Sequence, residues 1–168
     1  MPRMCIPNSG DNVCPLCHGT GIAAYHADKT RNYLHCHTCD LVFVPRGQHL
    51  SAGEEKAYYD LHENQPDDPG YRRFLDRLFT PLNQRLPGRE LDQLWDRLAP
   101  GGWLSIMTKR VRDQGAFKTW HYITDPTHIS YFSEASFHWL AAHWSGMGPA
   151  ATLTIAGNDV VLINKAGE

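Results

Sequence analysis

Two cysteine pairs, Cys14-Pro-Leu-Cys17 and Cys36-His-Thr-Cys39, constrain this chain more than any other feature. Two residues between paired cysteines let a tight turn aim both sulfurs at one point. Eighteen residues separate the pairs, which is within the span of four-cysteine zinc sites. Zinc accepts the resulting tetrahedron because its filled d shell imposes no other geometry. The competing reading, a redox C-x-x-C or a chance pairing, is disfavoured because redox motifs rarely come in matched pairs. Ile22 to Tyr25 and Tyr33 to His35 read as a hairpin around a polar turn, His26 to Asn32, and Leu41 to Val44 as a third short strand. Val13 to Val44 therefore reads as a zinc ribbon with Cys14, Cys17, Cys36 and Cys39 as the metal ligands. His18, His35 and His37 are alternative donors expected to lie on the surface nearby, and Cys5 is expected to be a free thiol. A closed four-cysteine site leaves no coordination position for water, so the expected role of the metal is structural.

The remaining composition bounds the partners. The net charge is -2 over 168 residues, so no global field draws the protein to nucleic acid or an acidic membrane. Near the ribbon the strong bases are Lys29, Arg31 and Arg46, offset by Asp28 and Asp40, and nucleic acid is not an expected partner. Met1 to Gly10 holds no apolar stretch, and runs such as Leu41 to Val44 are far too short to cross a bilayer. These features predict a cytoplasmic protein with no membrane association. In that compartment cysteines are metal ligands or free thiols rather than disulfides.

After the ribbon, Pro45 to Gly70 is polar and broken by glycine and proline, a linker with a short helix at Glu54 to Leu61. Tyr71 to Leu86 sets Phe74, Leu75, Leu78, Phe79, Leu82 and Leu86 on one helical face, with Pro81 as a kink. Glu90 to Leu98 carries the stripe Leu91, Leu94, Trp95, Leu98, ended by Pro100-Gly-Gly102. Trp103 to Thr108 reads as a strand. Ser133 caps a helix with Phe137, Leu140, Ala141 and Trp144 that ends near Gly146. Thr152 to Ile155 and Asp159 to Ile163 form a terminal hairpin around Ala156-Gly-Asn158. Trp103, Trp120, Trp139 and Trp144 are expected in the core. The expected division is a ribbon over 1–45, a linker over 46–70 and a second domain over 71–168.

The ordered set of segments in that second domain resembles a known family. Leu98-Ala-Pro-Gly-Gly-Trp-Leu-Ser-Ile-Met-Thr108 is similar to the helix, turn and fifth strand of class I S-adenosylmethionine-dependent methyltransferases. Asp125-Pro-Thr-His128 followed by Tyr131 to Phe137 looks like the segment after that strand, and the last hairpin like the sixth and seventh strands. The fold class so implied is α+β: a zinc ribbon followed by a truncated Rossmann-like domain, with a remnant three-stranded sheet and helices. The family holds its cofactor on a glycine-rich loop after the first strand. Pro87 to Asp92 looks like the approach to that strand, with Asp92 as the acidic residue that starts the loop. Gln93-Leu-Trp-Asp-Arg97, however, follows at once, and no G-x-G-x-G occurs anywhere in the chain. The cofactor-binding half, from the first strand through the fourth, is missing.

The resemblance implies S-adenosylmethionine as cofactor beside the structural zinc, and a methyl acceptor whose class the sequence does not name. The missing loop implies a chain inactive on its own. Candidate catalytic residues are His121, Asp125 and His128, just past the Trp103 strand, with His128 as a general base because its ordinary pKa lies near neutrality. The same side chains more readily cap and orient the following helix, or pack as amphipathic surface. His138 and His143 lie five apart, share no helix face, and are expected to be solvated. The surviving strands are expected in the order fifth, seventh, sixth, which leaves the apolar Trp103 strand as an edge that pairs with a second copy. The alternative function is a zinc-ribbon binding module for a protein or nucleic-acid partner.

Overall fold

A computed structural model describes residues 13–60 and 87–167. The expected thiol Cys5 and the expected helix from Tyr71 to Leu86 lie outside the described residues. The fold is mixed α/β, built on two small sheets.

The ribbon supplies β1 (Ile22–Ala27), β2 (Asn32–Cys36) and β3 (Val42–Phe43). Strands β1 and β2 pair antiparallel, with a register irregularity between Ala24 and His26, and β3 continues the sheet from β2. Asp28 fixes the turn of the hairpin. Its Oδ1 accepts from the backbone nitrogens of Thr30 and Arg31, both at 2.7 Å, and its Oδ2 from the Tyr33 hydroxyl at 2.7 Å. The linker is more ordered than its composition suggests: a 3-10 turn at Arg46–Gln48, then helix α1 (Ala52–Asp60). Ser51 starts α1 by exchanging hydrogen bonds with Glu54, whose carboxylate accepts from the Ser51 backbone and hydroxyl.

Helix α2 (Pro87–Arg97) extends at least three residues further toward the N-terminus than its apolar stripe suggests. The segment expected as the approach to a strand is therefore helical, Asp92 included. Strand β4 (Trp103–Met107) follows the Pro100-Gly-Gly turn, where Gly101 has φ of 76°, a left-handed conformation suited to glycine. A short helix α3 (Gln114–Phe117) is capped by Asp113. A 3-10 turn (His121–Thr124) and the two-residue strand β5 (Ser130–Tyr131) precede helix α4 (Glu134–Met147). Ser133 caps α4 as its sequence predicts, and Ser136 completes the reciprocal capping box. Strands β6 (Ala151–Ala156) and β7 (Val160–Lys165) close the chain.

The second sheet has the expected order, β4–β7–β6, all antiparallel. One face buries Ile106, Val161 and Ile163 against α2 and α4. Trp103 departs from its expected place in the core. It is 57% exposed, because its pairing with Asn164 puts it on the opposite face from Ile106. Trp144 is fully buried and stacks on Trp95 with ring centroids 4.6 Å apart and planes 8° apart. Trp120 and Trp139 are half-buried.

The first sheet holds a connection the sequence did not announce. Strand β5 pairs antiparallel with β3, so a strand from the second half completes the ribbon sheet. One core cluster likewise joins Cys14, Leu16 and Cys36 to Leu91, Trp95, Phe137 and Trp144.

Candidate functional site

The four cysteines converge. Their sulfurs all lie within 4.8 Å of one another, with Cys14 to Cys39 at 3.6 Å and Cys17 to Cys36 at 3.5 Å. A tetrahedral zinc with Zn–S bonds near 2.3 Å needs sulfurs about 3.8 Å apart, so the set fits such an ion, whereas a disulfide would need about 2 Å. The two turns that present the sulfurs match each other. His18 nitrogen donates to Cys14 oxygen at 3.0 Å, and Asp40 nitrogen to Cys36 oxygen at 2.8 Å. The residue after each second cysteine is left-handed, His18 at φ 57° and Asp40 at φ 58°. Neither position is glycine, so the sequence carries no signal for this repeated geometry. Gly19 nitrogen donates to Cys17 sulfur at 3.3 Å, and a Cβ on Gly19 would stand 2.9 Å from the Thr38 hydroxyl.

Without a cation the site is electrostatically lopsided. A hydrogen bond from Cys39 lowers the Cys14 thiol to about 5, whereas burial pushes Cys17 up to about 12. Cys39 is driven higher still by its bond to Cys14 and by burial. A buried group of thiols that cannot all ionise together is what a divalent ion resolves. Of the alternative donors, His35 is committed elsewhere: its Nε2 lies 2.6 Å from Asp40 Oδ1.

The second cluster joins the other candidates. His128 Nδ1 lies 2.9 Å from Asp125 Oδ2, and Asp125 Oδ1 accepts from Thr127 nitrogen at 2.9 Å and from its hydroxyl at 2.7 Å. Burial alone would raise the Asp125 carboxyl, but the bonds from His128 and Thr127 hold it well below the usual range. His121 is exposed, and its ring lies 4.2 Å from Tyr122, which in turn lies 4.9 Å from His128. The structure thus joins Asp125 to His128, with Asp125 fixing the ring of His128, whereas the His121 ring meets the Tyr122 ring between them.

Arg31 holds the backbone under this cluster and was missed as a site residue. It is 8% exposed and donates to the carbonyls of His128 at 3.1 Å, Asp125 at 3.0 Å and Ile123. In sequence it reads as one of three surface bases, because its acceptors lie some ninety residues away. Its guanidinium is occupied by these backbone carbonyls.

Asp92 makes its side-chain contacts with neither cluster. It sits in α2, where Oδ1 accepts from Trp144 Nε1 at 2.8 Å and lies 3.9 Å from His143 Nε2. His143 is stacked on Trp139 at 4.8 Å and is half-buried, and His138 is exposed.

A family model described as a methyltransferase domain matches residues 5–144. No curated protein and no solved structure matches the chain. Among the described residues no helix is long and apolar enough to cross a membrane.

Proposed function

From the premise that the chain belongs to the methyltransferase-domain family, we propose that it is a zinc-carrying member of the class I, S-adenosylmethionine-dependent group that does not transfer methyl groups as a lone chain. The observation that carries this reading is the passage from α2 through the Pro-Gly-Gly turn into β4, followed by the antiparallel trio β4–β7–β6. That trio suits the end of a methyltransferase sheet. Position 92, where the cofactor loop should begin, is helical instead, and its carboxylate is engaged by Trp144.

Zinc in this reading is structural. It would be held by Cys14, Cys17, Cys36 and Cys39, and it would neutralise the buried sulfurs and pin β2 to the first knuckle. The Asp125–His128 pair has the form of an oriented base. Without a bound methyl donor such a base has no reaction to serve, and the methyl acceptor stays unspecified. Among the described residues β4 ends its sheet on one side, with Trp103 57% and Met107 39% exposed. An apolar edge of this kind favours pairing with a second copy, so the reading includes a homo-oligomer.

Calorimetry tests the cofactor half of the proposal. A site lacking the glycine loop and its acidic partner loses two or three charge-assisted hydrogen bonds of roughly 1.5–3 kcal/mol each, against about -8 kcal/mol for a micromolar ligand. The expected result is no heat with S-adenosylmethionine or S-adenosylhomocysteine at sub-millimolar concentration. Saturable binding near micromolar would overturn it.

A further inference from the structure

Beyond β4 the chain runs Lys109, Arg110, Val111, Arg112, a segment that crosses from one sheet to the other. Thr108 nitrogen donates to Asp159 oxygen at 2.8 Å, and Val111 nitrogen to Phe132 oxygen at 2.9 Å. The two arginines are tethered to the β6–β7 turn by neutral acceptors. Arg110 Nη2 donates to Gly157 oxygen at 2.8 Å, and Arg112 Nη2 to Asn158 Oδ1 at 2.8 Å. Among the described residues neither guanidinium has a carboxylate within ion-pair distance. Arg110 Nη1 is buried and has no hydrogen-bond partner among them.

These cations border a cavity of about 270 Å³. Lys109, Arg110, Arg112 and Asn158 form its polar wall and Phe117 and Trp120 its aromatic one, and among the described residues no acidic one lines it. The adjoining depression shares both arginines but is bordered by Asp40 and Glu134. Partly buried positive charge is costly unless compensated. The nearest carboxylate in sequence, Asp113, is committed to the cap of α3, where its Oδ1 accepts from Ala116 nitrogen at 2.8 Å, and it is not among the described residues that line the cavity.

We propose that this cavity binds a small planar anion, an aromatic carboxylate or aromatic phosphate ester, with its charge on Arg110 and Arg112 and its ring against Trp120. A guanidinium carries five donors, and the exposed Arg112 shows one in use, which leaves donors for a bidentate acceptor. Asn158, whose Oδ1 is taken by Arg112, keeps its amide nitrogen as a further donor. The site does not depend on binding of S-adenosylmethionine, so it stands or falls separately from the function proposed above.

The test uses the full zinc-loaded chain and NMR of the arginine Nε–Hε and indole signals, titrated with benzoate, phenyl phosphate, inorganic phosphate and neutral benzamide. Saturable shifts at Arg110, Arg112 and Trp120 are expected with benzoate or phenyl phosphate and none with benzamide. Whichever ring anion binds tighter identifies the acidic group. Because Arg110 also holds the β6–β7 turn, the exposed Arg112 carries the mutational arm. Arg112→Met should weaken the tighter probe about tenfold or more, as loss of one charge-assisted contact does. Trp120→Leu should weaken phenyl phosphate more than inorganic phosphate. Shifts that merely follow ionic strength, equal shifts with benzamide, or unchanged affinity in Arg112→Met would overturn the proposal.

Discussion

Asp92 on helix α2 accepts a hydrogen bond from the indole nitrogen of Trp144 on helix α4, at 2.8 Å. The Trp144 side chain is fully buried, so its donor has no ready access to water. Asp92→Ala should therefore cost about 1–3 kcal/mol, the price of an unpaired buried donor. Asp92→Asn keeps an acceptor and should recover most of the loss. Urea denaturation of the three proteins checks this, and equal stability of wild type and Asp92→Ala would refute the structural role.

Metal content gives the second test. Protein purified without chelator should hold one zinc per chain by elemental analysis. Cys36→Ser should lose most of its zinc affinity, and Cys5→Ser should lose none. Removal of the metal should also be visible at a distance. A Cβ on Gly88, in α2, would lie 2.3 Å from the Leu16 carbonyl oxygen, so α2 rests directly on the first cysteine knuckle. The same helix carries Trp95 in its stack with Trp144. Chelation should consequently change the tryptophan fluorescence, and Gly88→Ala should weaken zinc binding although it removes no ligand.

Acid should expose the hairpin turn. Burial would raise the Asp28 carboxyl, but bonds from Thr30, Tyr33 and Arg31 bring it down to about 2. A carboxyl with a lower pKa in the folded chain than in the unfolded one, where it is about 3.9, stabilises the fold above the unfolded value. That contribution disappears as pH falls from about 4 toward 2. Asp125, also depressed, acts in the same direction. Asp28→Asn should be less stable than wild type near neutrality, and the gap should close through this window. Metal held by the four cysteines would leave both proteins alike in acid, so the difference between their denaturation curves isolates Asp28.

The edge of β4 makes a prediction about assembly. Light scattering over a broad concentration range should show a dimer or larger species. Ser105→Lys, which puts a charge on the exposed face between Trp103 and Met107, should shift the population to monomer. A wild-type monomer at every concentration would sink the edge-pairing idea.

The cysteine site was legible because its information is local: two fixed spacings and a hairpin between them. The capped helix α4 and the terminal hairpin were legible for the same reason, through Ser133 and the Gly157 turn. What escaped were features whose cause lies far along the chain. Two residues, Ser130 and Tyr131, carry no strand signal of their own; they become β5 because β3 offers an unpaired edge. Arg31 looks like a solvated base until its carbonyl acceptors at Ile123, Asp125 and His128 are brought beside it. Trp103 was misplaced because size argues for burial, whereas strand register decides which face a side chain takes.

The pairing of β3 with β5 also sets a timetable for biosynthesis. A ribosome delivers Val42 and Phe43 long before Ser130 and Tyr131. During that interval the nascent ribbon can gather its metal, since all four cysteines have already emerged, but β3 still presents a bare strand edge. Long-range pairings of this kind form late and leave transient edges open to other chains. Early metal capture would then act as a holding step, keeping the first hairpin in register until its last strand arrives.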